Sequence, residues 1–284
     1  MSDETHEDPA AEEPEQDEEE REAEERSAPS GAVVYHAIHS EGESELERSS
    51  SALAWSGLAA GLSMGFSMLV PALIHAHLPA QAKWAPLVTS FGYTLGFMIV
   101  ILGRQQLFTE NTLTVILPLL KKKSAEVLGN VLRLWTVVLL ANVIGAILFA
   151  FVAARSEAVD PEVFESMKTL AKHSIGHTFG VMLLRAIFAG WLIALLVWLL
   201  PFAETARVFV IVLMTYAVSL GHFSHVIAGS VDAAFLVWIH ESNWAEFLLG
   251  FLLPTLLGNI LGGVSLVAAI NHAQVVAGGG GEDA

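Results

Sequence analysis

No cysteine occurs in the 284 residues. Disulfides, thiolate metal sites and cysteine nucleophiles are thereby excluded. Charge is scarce as well: Asp, Glu, Lys and Arg make up 15% of the chain, against about 25% in an ordinary soluble domain. Bases number only 14 and form no face that could neutralise phosphates, so nucleic acid is not an expected partner. No HExxH, Walker A or GxSxG signature is present. His173 and His177 are four apart but have no third ligand in sequence. Neither a catalytic set, a metal nor a cofactor is expected.

What the chain has in quantity is apolar residues, 54% of the total, with a mean hydropathy of +0.56. Its acidity is local. The first fifty residues hold 18 acids and 3 bases, and the remainder holds 12 and 11. Residues 1–30 lack the basic start and apolar core of a signal peptide. They are expected to be an acidic, disordered tail. In residues 31–50, Val33, Val34, Ala37 and Ile38 fall near helical spacing. That pattern suits a short amphipathic helix on the membrane or the body, or an ordered juxtamembrane loop. Residues 273–284 read as a second disordered tail.

Crossing about 30 Å of hydrocarbon takes about 20 apolar residues. Six runs qualify: 52–75, 85–120, 128–153, 178–200, 206–239 and 243–270. The second and fifth are too long for one plain helix. Arg104-Gln105-Gln106 and Thr109-Glu110-Asn111 interrupt the second, and Gly221-His222-Phe223-Ser224-His225 the fifth. Arg48, Lys121, Lys122, Lys123 and Arg207 fall on one side of such a topology, which predicts both termini in the cytoplasm of a cell whose inner membrane holds the protein.

The two interrupted runs take matching places in two halves. Asn142-Val-Ile-Gly145 in the third run is matched by Asn259-Ile-Leu-Gly262 in the sixth, giving an offset of 116 to 117 residues with Thr109 opposite His225. Three crossings per half is an odd number, so the halves must be inverted. The fold class expected is therefore an all-α polytopic membrane protein: six transmembrane helices, a 3+3 inverted repeat, the second and fifth helices broken. Broken helices survive in a membrane only where they line a cavity or are buried in protein. Their free N–H groups favour a small, negative solute.

At these residues the chain resembles the formate/nitrite transporter family, as a divergent branch. Leu107-Phe108-Thr109 resembles that family's loop in the broken second helix, His225-Val226-Ile227-Ala228 its element in the broken fifth, and Pro254 to Gly263 its stretch in the sixth. The resemblance implies an aquaporin-like protomer in the lipid bilayer, a homopentamer, and one pore per protomer for a small monovalent anion or its conjugate weak acid. It implies a pore centre at Thr109 and His225, and pore lining by Tyr93, Phe97, Leu107 and Phe108. Three family positions differ: a lysine aligns to Ser174, an asparagine to Gly190, and a glutamate to Ser224. Arg104, Arg185 and His222 are present instead, as candidates for anion attraction.

Plainer roles compete with these. Thr109 can cap the half-helix that follows it. Arg104 can pair with Glu110 and pin the loop, or snorkel. Glu110, Asn142 and Asn259 read as structural polar residues. Gly57, Gly61 and Gly65 read as a close-packing stripe. Two other functions stay open from the residues alone: a neutral-solute channel, and a non-transporting scaffold or regulator acting through the acidic tail.

Overall fold

A computed structural model describes residues 29–79 and 82–278. The tail expected at 1–30 lies outside these except for its last two residues, as do residues 279–284. Among the described residues there are helices and no strands. Helix α1 is Gly31–Glu47, opened by Ser30, whose hydroxyl accepts from the amide of Val33. The first span is α2, Ser50–Ser63, continued by α3, Phe66–Ala76. Next come α4, Ala85–Leu102, and after an irregular segment α5, Ile116–Lys122. Helix α6 is Ala125–Arg155, α7 is Pro161–Ser174, and α8 is Phe179–Leu199. Helix α9, Arg207–Leu220, stops five residues before α10, Val226–Trp238. The last span, Glu246–Ala277, combines π-helical Glu246–Leu252, α11 at Leu253–Ile260, π-helical Leu261–Ala269, and α12 at Ile270–Ala277.

Among the described residues, five helices are long and apolar enough to cross a membrane, and α10 is a shorter apolar helix. One expectation needs correcting. The last helix runs to Ala277, so the first residues of the expected tail at 273–284 are helical. Large apolar side chains, including Trp55, Leu184, Phe209 and Leu249, cover the outside of the bundle. An apolar exterior on that scale suits lipid or other subunits rather than water.

Small residues set the closest helix contacts. A Cβ on Gly61 of α2 would lie 2.1 Å from the Asn142 carbonyl of α6, and one on Gly190 of α8 would lie 2.4 Å from the Asn259 carbonyl of α11. Both distances are impossible for a real side chain. Gly190 is thus a contact point between backbones, which explains why asparagine cannot occupy it here.

Helix α1 lies across one end of the bundle. Its Tyr35 hydroxyl and His272 Nδ1 on α12 are 2.9 Å apart. Glu43 pairs with Lys122 of α5 at 2.6 Å. Arg133 of α6 donates to the carbonyls of Leu46 and Arg48, just past the last turn.

Candidate functional site

Both broken helices end alike. At the end of α4, Arg104 N donates to Ile101 O and Gln105 N to Val100 O. At the end of α9, His222 N donates to Ser219 O and Phe223 N to Val218 O. Each is the paired bonding of a Schellman cap, with its central residue in the left-handed region. Arg104 (φ 53°) and His222 (φ 50°) hold those positions.

Two asparagines secure the segments that follow. Asn142 Oδ1 accepts from Phe108 N at 2.9 Å, while its Nδ2 donates to Gly57 O at 2.7 Å and Gln106 O at 2.9 Å. Asn259 Oδ1 accepts from Val226 N at 2.8 Å, while its Nδ2 donates to Ala186 O at 2.8 Å and Ser224 O at 2.9 Å. These are structural roles, in line with the plainer reading. By these bonds the residues pair differently from the sequence spacing. Gln106 matches Ser224 and Phe108 matches Val226, so His225 corresponds to Leu107 and not to Thr109.

Thr109 does not cap a helix: no backbone amide donates to its side chain. Its hydroxyl lies 2.8 Å from His225 Nε2. The capping residue is His225, whose Nδ1 accepts from the amides of Ile227 and Ala228 at 3.3 and 3.2 Å. Two donors aimed at Nδ1 leave no room for a proton there. The imidazole is therefore neutral in this geometry, with its proton on Nε2 directed at Thr109. Thr109 is 0% and His225 1% exposed, so the pair is dry.

The ring of Phe97 meets the His225 ring edge-on at 4.9 Å, and Tyr93 packs on Phe97 at 5.3 Å. Above this cluster opens a recess of about 420 Å³. Tyr93 and His225 line it, as do Thr89, Ser90, Ser219, His222 and Asp232. No lysine or arginine is among the lining residues.

Sequence reasoning placed other residues at this site that lie elsewhere. Phe108 stacks edge-on against Trp135, and Leu107 is buried in the core. Arg104 is exposed over 75% of its side chain and pairs with Glu41 of α1 at 2.8 Å, not with Glu110. Glu110 keeps one buried carboxylate oxygen without a partner. Arg185 is bonded to His177. Asp232 is not among the expected site residues, yet it is the only ionisable residue in the apolar helix 226–238, a signal that marks functional candidates in membranes.

Beside the recess, Glu241 holds both Lys168 and Lys172, the latter at 2.8 Å. Hydrogen bonds from Lys168 first, then Lys172, hold its carboxyl down to about 2. A depressed folded value means the stabilisation is complete above the ordinary carboxylate range and disappears as pH falls through about 2. Glu241→Gln is expected to flatten the acid limb of thermal stability over that window. Parallel acid limbs in melting curves of the two proteins would show that the pairing adds nothing.

Apolar helices around a small polar recess define a membrane protein built to pass or hold a small solute. Residues 32–273 match the family described as Formate/nitrite transporter, and the chain belongs to it. This is a family of transporters and channels, not of enzymes. Among similar proteins, Inner membrane protein YfdC of Escherichia coli (strain K12) is 41% identical over 248 residues, covering 87% of this chain and 80% of that protein. Formate channel BtFdhC of Bacillus thuringiensis is 25% identical, covering 72% and 79%. A solved structure described as an FNT family ion channel aligns with a TM-score of 0.72 at 18% identity, over 85% of this chain and 98% of that one. A pentameric formate channel with formate bound aligns with a TM-score of 0.63 at 21% identity, over 80% and 98%.

Proposed function

We propose that the chain is an inner-membrane protein that conducts a small monovalent anion, or its conjugate weak acid, past the Thr109–His225 pair. The observation that carries this reading is the 2.8 Å bond between those two side chains, with His225 at the floor of the recess. In this reading His225 acts as a neutral hydrogen-bond donor. Tyr93 and Phe97 form an apolar collar that a neutral acid crosses far more cheaply than an anion, because an unpaired buried charge costs several kcal/mol or more.

Six crossings in two inverted halves complete the proposal. The matched asparagines and Schellman caps support the halves. Contact between α1 and α12 supports an even number of crossings, since it brings both ends of the described chain to one face. The five long helices become six when α9 and α10 together make one crossing. Lys121–Lys123 and Arg207 then put that face in the cytoplasm. The YfdC relative, named as an inner membrane protein, and the pentameric formate channel of similar fold support the location and a homopentamer.

The test is uptake into proteoliposomes of formate, nitrite, hydrosulfide, chloride, acetate, glycerol and water. Uptake of a small weak-acid anion with exclusion of glycerol is expected. Glycerol or water uptake without any anion would instead establish the neutral-solute channel, which the absence of lysine and arginine from the recess favours as second reading.

A further inference from the structure

The proposed pathway leaves one ionisable group of the recess without a role. Asp232 stands on α10, seven residues after His225 and three after Gly229, and all three line the recess. Residues spaced by four and three share one helix face. They form a stripe about 10 Å long, at about 1.5 Å per residue, ending at His225. A Cβ on Gly229 would lie 2.4 Å from the Phe251 ring, which would have to shift to admit it.

Among the described residues, no lysine or arginine of the recess lining pairs with the carboxyl. The Ser174 hydroxyl lies beside it, at the position where the family resemblance calls for a lysine. Lys168 and Lys172 share Glu241, and Arg185 bonds to His177; all three keep a positive charge in sum but none of them lines the recess. The titratable groups that face the same space are His75 from α3, Tyr93 from α4, His173 from α7, and His222 and His225 from the segment after α9. Helix α6 also packs on α10 but adds no lining residue, and the π-helical segment 246–252 adds only Phe251.

We propose that Asp232 is the charge selector of this vestibule: its carboxylate bars a monovalent anion unless the anion enters together with a proton. The proton comes from water on the vestibule side. It sits on the Asp232 carboxyl or on the anion, and only O–H bonds form and break. Entry toward His225 is then electroneutral. This inference rests on the recess being a solute pathway. A unit charge about 8 Å from the anion, at an effective dielectric of about 20, changes the anion's population by on the order of thirtyfold.

The experiment uses the full chain in proteoliposomes: wild type, Asp232→Asn and Ser174→Lys. Formate uptake is followed from about pH 5.5 to about pH 8, the range in which histidines also titrate, together with current under a clamped potential. Wild-type uptake is expected to fall as pH rises and to carry no current. Each variant removes the net negative charge, and each is expected to take up formate ten- to thirtyfold faster than wild type at about pH 8, now with current. Ser174→Lys keeps the carboxyl in place, so the result does not depend on the folding of one variant. Wild-type pH profiles without current in both variants would overturn the role of Asp232 while leaving the pathway standing. No formate uptake by any of the three folded proteins at any pH would overturn the pathway, and this inference with it.

Discussion

Replacing Asn259 by leucine is expected to lower stability by about 2–4 kcal/mol, the largest loss from any single exchange considered. The substitution strands two buried backbone groups, the amide of Val226 and the carbonyl of Ser224, and takes a second bond from the carbonyl of Ala186 inside α8. Each orphaned buried group costs about 1–3 kcal/mol, and the net worth of such bonds between membrane helices lies at the low end. Asn142→Leu strands the amide of Phe108 and the carbonyl of Gln106, takes a second bond from the carbonyl of Gly57 inside α2, and should cost a similar amount. Equilibrium unfolding in detergent, with wild type in parallel, measures both. A loss under about 1 kcal/mol for either would show that its break is held by packing rather than by the amide.

His225→Phe is expected to reduce solute flux at least tenfold, with a further loss of about 1 kcal/mol of stability from the missing helix cap. The two effects separate through Thr109→Val. That exchange removes the bond to His225 Nε2 but leaves the cap bonds from Ile227 and Ala228 untouched. It should slow flux by about tenfold, and it should cost about 1–3 kcal/mol of stability because the buried Nε2–H loses its partner while the cap stays. Flux and pH profile unchanged in His225→Phe would remove the pair from the pathway. Lowered stability with unchanged flux in Thr109→Val would make the pair a packing element.

The breaks were legible because polar residues stood in apolar runs where a plain helix has no use for them. Asn142 and Asn259 were legible through their shared sequence context. The register between the halves was not. Thr109 and His225 invite pairing by chemistry, while the equivalence is set by which peptide groups each asparagine holds, and only coordinates show that. Arg104 misled for another reason. Its partner, Glu41, lies 63 residues earlier on α1, and no local pattern encodes a contact of that range. Its left-handed backbone is equally hidden, because the glycine that usually signals such a cap comes one residue too soon, as Gly103. Asp232 was visible in sequence as a lone acid among apolar neighbours. Its place on the same stripe as His225 emerged only from the recess that both line.

The asparagine anchors also bear on how the chain is made. Each break is secured from a helix that leaves the ribosome later: Asn142 follows Phe108 by 34 residues, and Asn259 follows Val226 by 33. During synthesis the first broken segment is fastened as soon as α6 is inserted, well before the second is translated. A nascent chain therefore carries one unsecured break at a time. A chain cut short between Val226 and Asn259 strands the second break with no anchor to come, which marks truncations in that interval as targets for membrane quality control.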